Sequence, residues 1–328
     1  MQQMHSENMP LLPGVTFRQV HGREDAVSNI AVVEACWDVD GIDPYSTMDT
    51  VPTVEEMAEY LASLDPRNML VASVQEQMIG FVRVSWWEEE DGTWLFLHVG
   101  RVLPEWRGRG LGTSFVYWAE RRLRVIATNY PTNGKGTFGA NASNTEVSAT
   151  ELLLNEGYTV HFTGAQMEFT DFISIQSPQL PEGFELRPVL PEQYRAIWQA
   201  GRQHWAGLTK VTNIPTEEDY QEFLSLITPD PTLLMVAWRN GQPVAIVQGH
   251  IMQDTGIIDD VIVSPAYKRR GLAQALMRYD MLAMREKGVK RIRLHTDASD
   301  RHGAKSLYEK LGFRVVKTYP RYRKPMGI

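Results

Sequence analysis

Two short runs of cations and glycine stand out as groups able to hold an anion: Arg107-Gly108-Arg109-Gly110-Leu111-Gly112 and Lys268-Arg269-Arg270-Gly271-Leu272-Ala273. In both, an apolar run ending in proline comes first and an amphipathic segment follows, so the local order reads strand, turn, helix. Gly110 and Gly271 enter strained backbone angles without a Cβ penalty, and Gly112 or Ala273 leaves room beside the first helical turn. The first amides of a helix have no intrahelical acceptor and point outward. With Arg107, Arg109, Lys268, Arg269 and Arg270 nearby, the guest such a turn fits is a pyrophosphate. One basic turn alone reads equally well as a solvated helix cap. Two in matched context argue for a binding device used twice.

The elements around the turns repeat as well. Val15 to Val20 matches Phe184 to Val189, and Thr53 to Leu61 matches Thr216 to Leu224, each of the latter pair opening on a threonine N-cap with acids in the first turn. Leu70-Val71-Ala72 matches Met235-Val236-Ala237, each leading through a polar turn into a second apolar strand, and Gly157-Tyr158 matches Gly312-Phe313. The separation between partners drifts slowly while their order holds, as loop insertions in a duplicated domain require. Alternating apolar runs bounded by Gln75-Glu76-Gln77 and Arg239-Asn240-Gly241-Gln242 predict hairpins. Each copy therefore reads as an α/β domain whose first strands are antiparallel. A dinucleotide-binding unit is excluded, because the glycine turn follows several strands and no Gly-x-Gly-x-x-Gly occurs. Residues 11–173 are assigned to a first domain, 174–183 to a linker rich in turn formers, and 184–328 to a second domain.

The 328 residues carry a formal net charge of -7, from 33 Lys and Arg against 40 Asp and Glu, which disfavours a polyanionic partner and sets nucleic acid aside. The basic stretch Tyr319 to Pro325 reads as a final strand whose charges meet solvent or a small ligand's phosphates. Cys36 is the only cysteine, so no internal disulfide forms and a cytoplasmic location is expected. No run of 18 apolar residues and no secretory leader is read, which sets membrane insertion and export aside. The eight histidines show no metal-ligand spacing.

On the two turns, and most strongly on Ile262 to Ala273 and Ser306 to Phe313, the chain resembles the GCN5-related N-acetyltransferase (GNAT) superfamily in both halves. The resemblance implies a duplicated α/β GNAT fold with a mixed, mostly antiparallel central sheet flanked by helices. It also implies acetyl-CoA as the acyl donor. The donor is expected on Ile262, Val263, Lys268, Arg269, Arg270, Gly271, Leu272 and Ala273, and in the first half on Val102, Arg107, Gly108, Arg109, Gly110, Leu111 and Gly112. The second segment carries the helix near the thiol. Asp297 and Asp300 depart from the asparagines often found after the neighbouring strand, whereas Asn141 and Asn144 keep them.

Acyl transfer from a thioester to an amine expels a thiolate, and Tyr308 is the phenol placed to give it a proton. Leu153 stands at the matching position of the first half and offers no hydroxyl, so the second half is read as the catalytic copy and the first as degenerate. The amine must first lose its own proton. Asp259 and Asp260 lie on the strand entering the second turn, and alternation lets only one face the acceptor; Asp259 is the preferred base. The same register in the first half places His98, a second candidate base. A backbone amide near Ile262 or Val263 is assigned to the oxyanion.

The segments least shared between the halves, Cys36 to Pro52 and Gln203 to Pro215, and the hairpin tip Trp86 to Asp91 are read as acceptor-selecting loops, their acids suited to a cationic amine. The acceptor is expected to be a small molecule or a peptide amine, and the chain a monomer or homodimer. The alternative reading is a pair of acyl-CoA sensors that bind without turnover.

Overall fold

The computed structural model describes residues 12–43, 46, 48–49, 51–89, 91–132, 134–206, 216–300 and 303–327. The chain folds into two compact units that do not coincide with the two sequence halves. Unit 1 takes the chain up to Thr163 together with Tyr319–Ile328, and unit 2 takes Gly164–Thr318.

Unit 1 begins with β1 (Thr16–Gln19), α1 (Ala26–Ala35), the single-turn α2 (Trp37–Asp40) and α3 (Val54–Ser63). Next come β2 (Met69–Val74), β3 (Gln77–Glu88), β4 (Trp94–Val102), α4 (Leu111–Ala127), β5 (Gly136–Asn141), α5 (Val147–Asn155) and the start of β6 (Thr159–Phe169). Unit 2 takes the rest of β6, then β7 (Glu185–Leu186), α6 (Tyr194–Ala206), α7 (Glu217–Ile227), β8 (Leu234–Arg239), β9 (Gln242–Met252) and β10 (Thr255–Val263). It closes with α8 (Leu272–Glu286), β11 (Arg291–Asp297), α9 (Ala304–Lys310) and the first residues of β12 (Arg314–Pro325).

Within each unit the first four strands form an antiparallel meander, the fifth pairs in parallel with the fourth, and a sixth pairs antiparallel with the fifth. That sixth strand moves the domain boundaries. In unit 1 it is the end of β12, with Arg321 opposite Asn141 of β5; in unit 2 it is the end of β6, with Phe169 opposite Ile292 of β11. Residues 319–328 therefore join the first unit and 164–173 the second, a division that sequence similarity between the halves did not reveal.

The local signals behave as their chemistry requires. Thr53 and Thr216 each accept from the amide three residues on, and Glu56 and Asp219 return a bond to the threonine amide, a reciprocal cap on α3 and on α7. The hairpin turns at Gln75-Glu76 and Asn240-Gly241 have positive φ at both central residues, the geometry that matches strand twist. In unit 2 the sheet is covered on both faces. Ala245, Val247 and Ile258 pack with Leu276, Met281 and Tyr308 of α8 and α9, whereas Ile246 and Ile262 pack with Ile197 and Ile227 of α6 and α7. No helix among the described residues is long and apolar enough to cross a membrane.

Candidate active site

The two basic turns have one backbone. Residues 108 and 110 have φ of 71° and 88°, and residues 269 and 271 have φ of 60° and 84°. Arg269 holds a left-handed angle that glycine holds in the other copy, a strain of the kind that accompanies function. Each turn opens a long helix, α4 or α8, with a glycine N-cap and no side-chain cap, so the leading amides stay open to a ligand. Arg109 lies over the Trp106 ring at 4.8 Å and Arg270 over the Tyr267 ring at 5.4 Å, a matched cation support. A Cβ at Gly112 would meet the flexible end of Leu152, Cδ2, at 2.8 Å, where unit 2 has Ala273.

The cations differ. Arg107 turns its guanidinium inward: Nη1 and Nη2 donate to the Asp40 carboxylate at 2.7 and 2.8 Å, and Nε donates to the Val102 carbonyl at 3.0 Å. The side chain expected to screen phosphate is instead structural, and at that turn Arg107 offers only its main chain. Lys268, Arg269 and Arg270 are all exposed.

Beyond the turns, the parallel strand pairs come apart. In unit 1 the pairing of β4 with β5 ends at Leu97 and Gly139, and in unit 2 that of β10 with β11 ends at Ile258 and Leu294, although all four strands continue. The gap leaves main-chain groups of β4 and β10 unpaired on one side. In unit 2 the Ser264 N–H donates to the Val244 carbonyl at 2.9 Å, which sets the ladder phase. By alternation the Ile262 amide turns toward β9, and that of Val263 toward the gap. The Leu103 N–H donates to Ile79 at 2.9 Å and places Val102 in the same way in unit 1. Of the two residues expected to carry the oxyanion amide, Val263 fits and Ile262 does not; the Ile262 side chain lines a cavity instead.

Unit 2 has a feature that unit 1 lacks. Between the pairs Ile258–Gly249 and Asp260–Gln248, Asp259 is an extra residue, a β-bulge. It reverses the strand's faces, so Ile258 and Ile262 lie in opposite cores in spite of their even spacing. The bulge decides between the two aspartates. Asp259 accepts from or shares a proton with His250 Nδ1 at 2.7 Å, whereas Asp260 lines a cavity of about 280 Å³ with Trp198, Arg202, Gln248 and Phe223. The structure therefore places Asp260 on the cavity and the preferred Asp259 against His250, because the bulge resets which residues share a face. Burial pushes the Asp260 carboxyl above its ordinary value, Asp259 adds to the rise, and Arg202 opposes it.

Tyr308 on α9 is 7% exposed, edge-on to Phe313 with ring centroids 6.3 Å apart. Burial, with a contribution from the Asp260 charge, pushes its pKa up to about 12, so the phenol keeps its proton at neutral pH. Unit 1 has the buried Leu153 at this position, lining a cavity of about 410 Å³ that also contains His98, Arg101, Asn141 and Glu146. Burial, aided by Lys324, drives the His98 pKa down to about 4, which keeps the ring neutral.

The acceptor loops read from sequence are largely occupied. Asp40 holds Arg107, Asp49 accepts from the Tyr319 hydroxyl at 3.2 Å, and Glu89 holds Arg323 at 3.0 Å. Lys324 donates to Glu120 at 2.8 Å, so the basic stretch of the last strand meets carboxylates of unit 1 rather than solvent or a ligand. Tyr45, Glu90 and Lys210, and the side chains of His204 and Trp205, lie outside the described residues. Asp297 and Asp300 are tied to the turn before α9, Asp297 accepting from the Ser299 amide at 2.7 Å and Asp300 from Ser306. Trp198, Arg202 and Gln248, which line the cavity with Asp260, were not found from sequence. The signal for Trp198 and Arg202 was an amphipathic helix with no marked chemistry, and Gln248 sits within an apolar strand.

Open amides at a helix start and a strand gap beside it are features that an acyl-CoA-dependent transferase would need, and the comparisons supply the family. The acetyltransferase (GNAT) family profile matches residues 39–127 and 196–313, more than half of the chain, which belongs to this family. Among curated relatives, the mycothiol acetyltransferase of Streptomyces scabiei is 26% identical over 293 residues, covering 86% of this chain and 89% of the relative. That of Thermobispora bispora is 26% identical over 306 residues, covering 91% and 95%. Among solved structures, a GCN5-related N-acetyltransferase from Sphaerobacter thermophilus superposes with a TM-score of 0.73 at 24% identity, covering 97% of this chain and 98% of that one. A tandem GNAT protein of the clavulanic acid biosynthesis pathway gives 0.66 at 14%, covering 96% and 99%. These likenesses bear on the fold.

Proposed function

We propose that unit 2 transfers an acetyl group from acetyl-CoA to a primary amine of a small molecule or peptide by direct attack, with Asp260 as base and Tyr308 as acid. The observation that carries this reading is the bulge at Asp259, which turns Asp260 into the cavity between α6, α7 and the sheet. The ammonium of the acceptor enters beside Asp260, whose raised pKa narrows the gap to that of the amine and eases proton transfer. The freed nitrogen attacks the thioester carbonyl, and the developing oxyanion meets the Val263 amide. The C–S bond then breaks, and the phenol of Tyr308 gives its proton to the departing thiolate.

The turn at 268–273 holds the pyrophosphate of the donor through main-chain amides and its three exposed cations. No covalent enzyme intermediate is needed. Cys36 in unit 1 is buried, and burial raises its pKa, the opposite of what a nucleophile requires. The names of the curated relatives make mycothiol-related amines the first acceptors to test. The test is free thiol release from acetyl-CoA across amines that include these, aminoglycosides and peptide N-termini. Amine-dependent release that falls at least about a hundredfold in Tyr308→Phe supports the reading. No increase in release with any amine, together with intact acetyl-CoA binding, favours a sensor role for unit 2; amine-independent release is scored separately.

A further inference from the structure

In unit 1 a line of hydrogen bonds leads from the 410 Å³ cavity to a carboxylate. Tyr158 donates its one phenolic proton to Glu120 Oε1 at 3.1 Å, and its oxygen lies 3.0 Å from His98 Nε2. Since that proton is committed to Glu120, the phenolic oxygen must accept, so Nε2 carries the imidazole hydrogen. In a neutral ring Nδ1 is then a bare lone pair, and it has no protein partner among the described residues. His98 lines the cavity and is the first residue of β4 past the last β4–β5 pair, where the strands begin to separate. At the far end Glu120 is held by Lys324 at 2.8 Å and by Arg124 at 3.5 Å.

We propose that unit 1 is a second reaction centre, in which His98, Tyr158 and Glu120 form a proton relay that drives hydrolysis of an acyl-CoA thioester. The donor rests on the open amides of the 107–112 turn, as in unit 2. The nucleophile is water, because the two buried carboxylates of the cavity lining, Asp40 and Glu146, are committed to Arg107 and Arg101, and the remaining one, Glu151, is exposed, which leaves no buried carboxylate to receive an ammonium. Water attacks the thioester carbonyl while His98 Nδ1 takes its proton. His98 Nε2 passes a proton to the Tyr158 oxygen, and Tyr158 passes its own to Glu120. The C–S bond breaks to give a carboxylic acid and the coenzyme thiolate. Reverse passage along the same line returns the proton to sulfur, doing for this site what Leu153 cannot, so one thioester and one water yield one acid and one thiol. The relay delivers the proton to Glu120, which lets a neutral histidine with a low pKa serve as its entrance.

The test uses the full chain with Tyr308→Phe and Asp260→Asn, which silences the reaction proposed for unit 2, and acetyl-CoA without any amine. Thiol and acetate should appear in equal amounts. Adding His98→Gln should lower the rate at least about tenfold. Adding Tyr158→Phe, which keeps the ring but breaks the relay, should lower kcat and leave KM unchanged. Thermal unfolding of each variant separates a lost relay from a lost fold. Release no faster than in buffer, or a rate that survives either relay substitution in a folded chain, overturns the proposal. Amine-dependent transfer is read separately in the unsubstituted chain, so failure of one reading is distinguishable from failure of the other.

Discussion

The two units share one sheet plan and one turn backbone, yet they differ in three places that bear on chemistry. Unit 2 has a bulge at Asp259 where unit 1 has an unbroken β3–β4 ladder, a phenol at Tyr308 where unit 1 has Leu153, and three exposed cations at its turn where unit 1 has turned Arg107 inward. The difference teaches that the turn backbone and the groups proposed to react are separable. The turn rests on backbone angles that glycine and one strained arginine supply. The reactive groups rest on single residues and on one inserted residue in a strand.

The largest expected effect comes from the phenol. Tyr308→Phe should cut amine-dependent turnover about a hundredfold or more with little change in coenzyme A affinity, measured by thiol release beside calorimetry. The converse exchange, Leu153→Tyr, should create no amine-dependent activity in unit 1, since that unit lacks the bulge and an equivalent of Asp260. Gain of such activity would show that the phenol alone separates the units.

The turns give the next largest effect. Replacing Lys268, Arg269 and Arg270 together by alanine should weaken coenzyme A binding to unit 2 about tenfold or more and flatten its salt dependence. Arg109→Ala in unit 1 should cost less. Arg107→Ala should act through stability rather than affinity, because it strips Asp40 of its partner. Calorimetry at two ionic strengths separates these outcomes.

A buried acid gives a third contrast. Asp280 on α8 is fully buried in unit 2, and neither of its carboxyl oxygens has a hydrogen-bond partner among the described residues; burial, followed by the charges of Asp259 and Asp230, raises its pKa well above the ordinary value. Unit 1 places Glu120 on the corresponding helix but satisfies it with Tyr158 and Lys324. The folded state of unit 2 therefore keeps a proton that the unfolded chain releases above about pH 4. Its stability should fall as pH rises from that value toward the folded pKa, by up to about 1.4 kcal/mol per pH unit. Asp280→Asn should remove this slope, read by denaturant unfolding at several pH values. The smallest effect is at Gly112: Gly112→Ala displaces only the flexible end of Leu152 and should change the stability of unit 1 by less than about 1 kcal/mol, read by denaturant unfolding.

Much of this was legible in the residues. Threonine caps, hairpin turns and the glycine turns carry local chemistry, and each appears where its residue types demand. The bulge was not legible, since nothing in Ile257 to Val263 marks one residue as unpaired, and alternation could say only that one of Asp259 and Asp260 faces the acceptor. The inward turn of Arg107 depends on Asp40, far away in sequence. The sixth strand of each unit was hidden for the same reason: similarity between halves reports common origin, while compactness depends on which sheet a strand joins.

The most direct test of the account compares Asp260→Asn with Asp259→Asn in amine-dependent thiol release as a function of pH. The account predicts that Asp260→Asn loses turnover about a hundredfold or more and that Asp259→Asn, altering only the partner of His250, retains most of it. The opposite ranking would contradict the bulge's role in aiming the base.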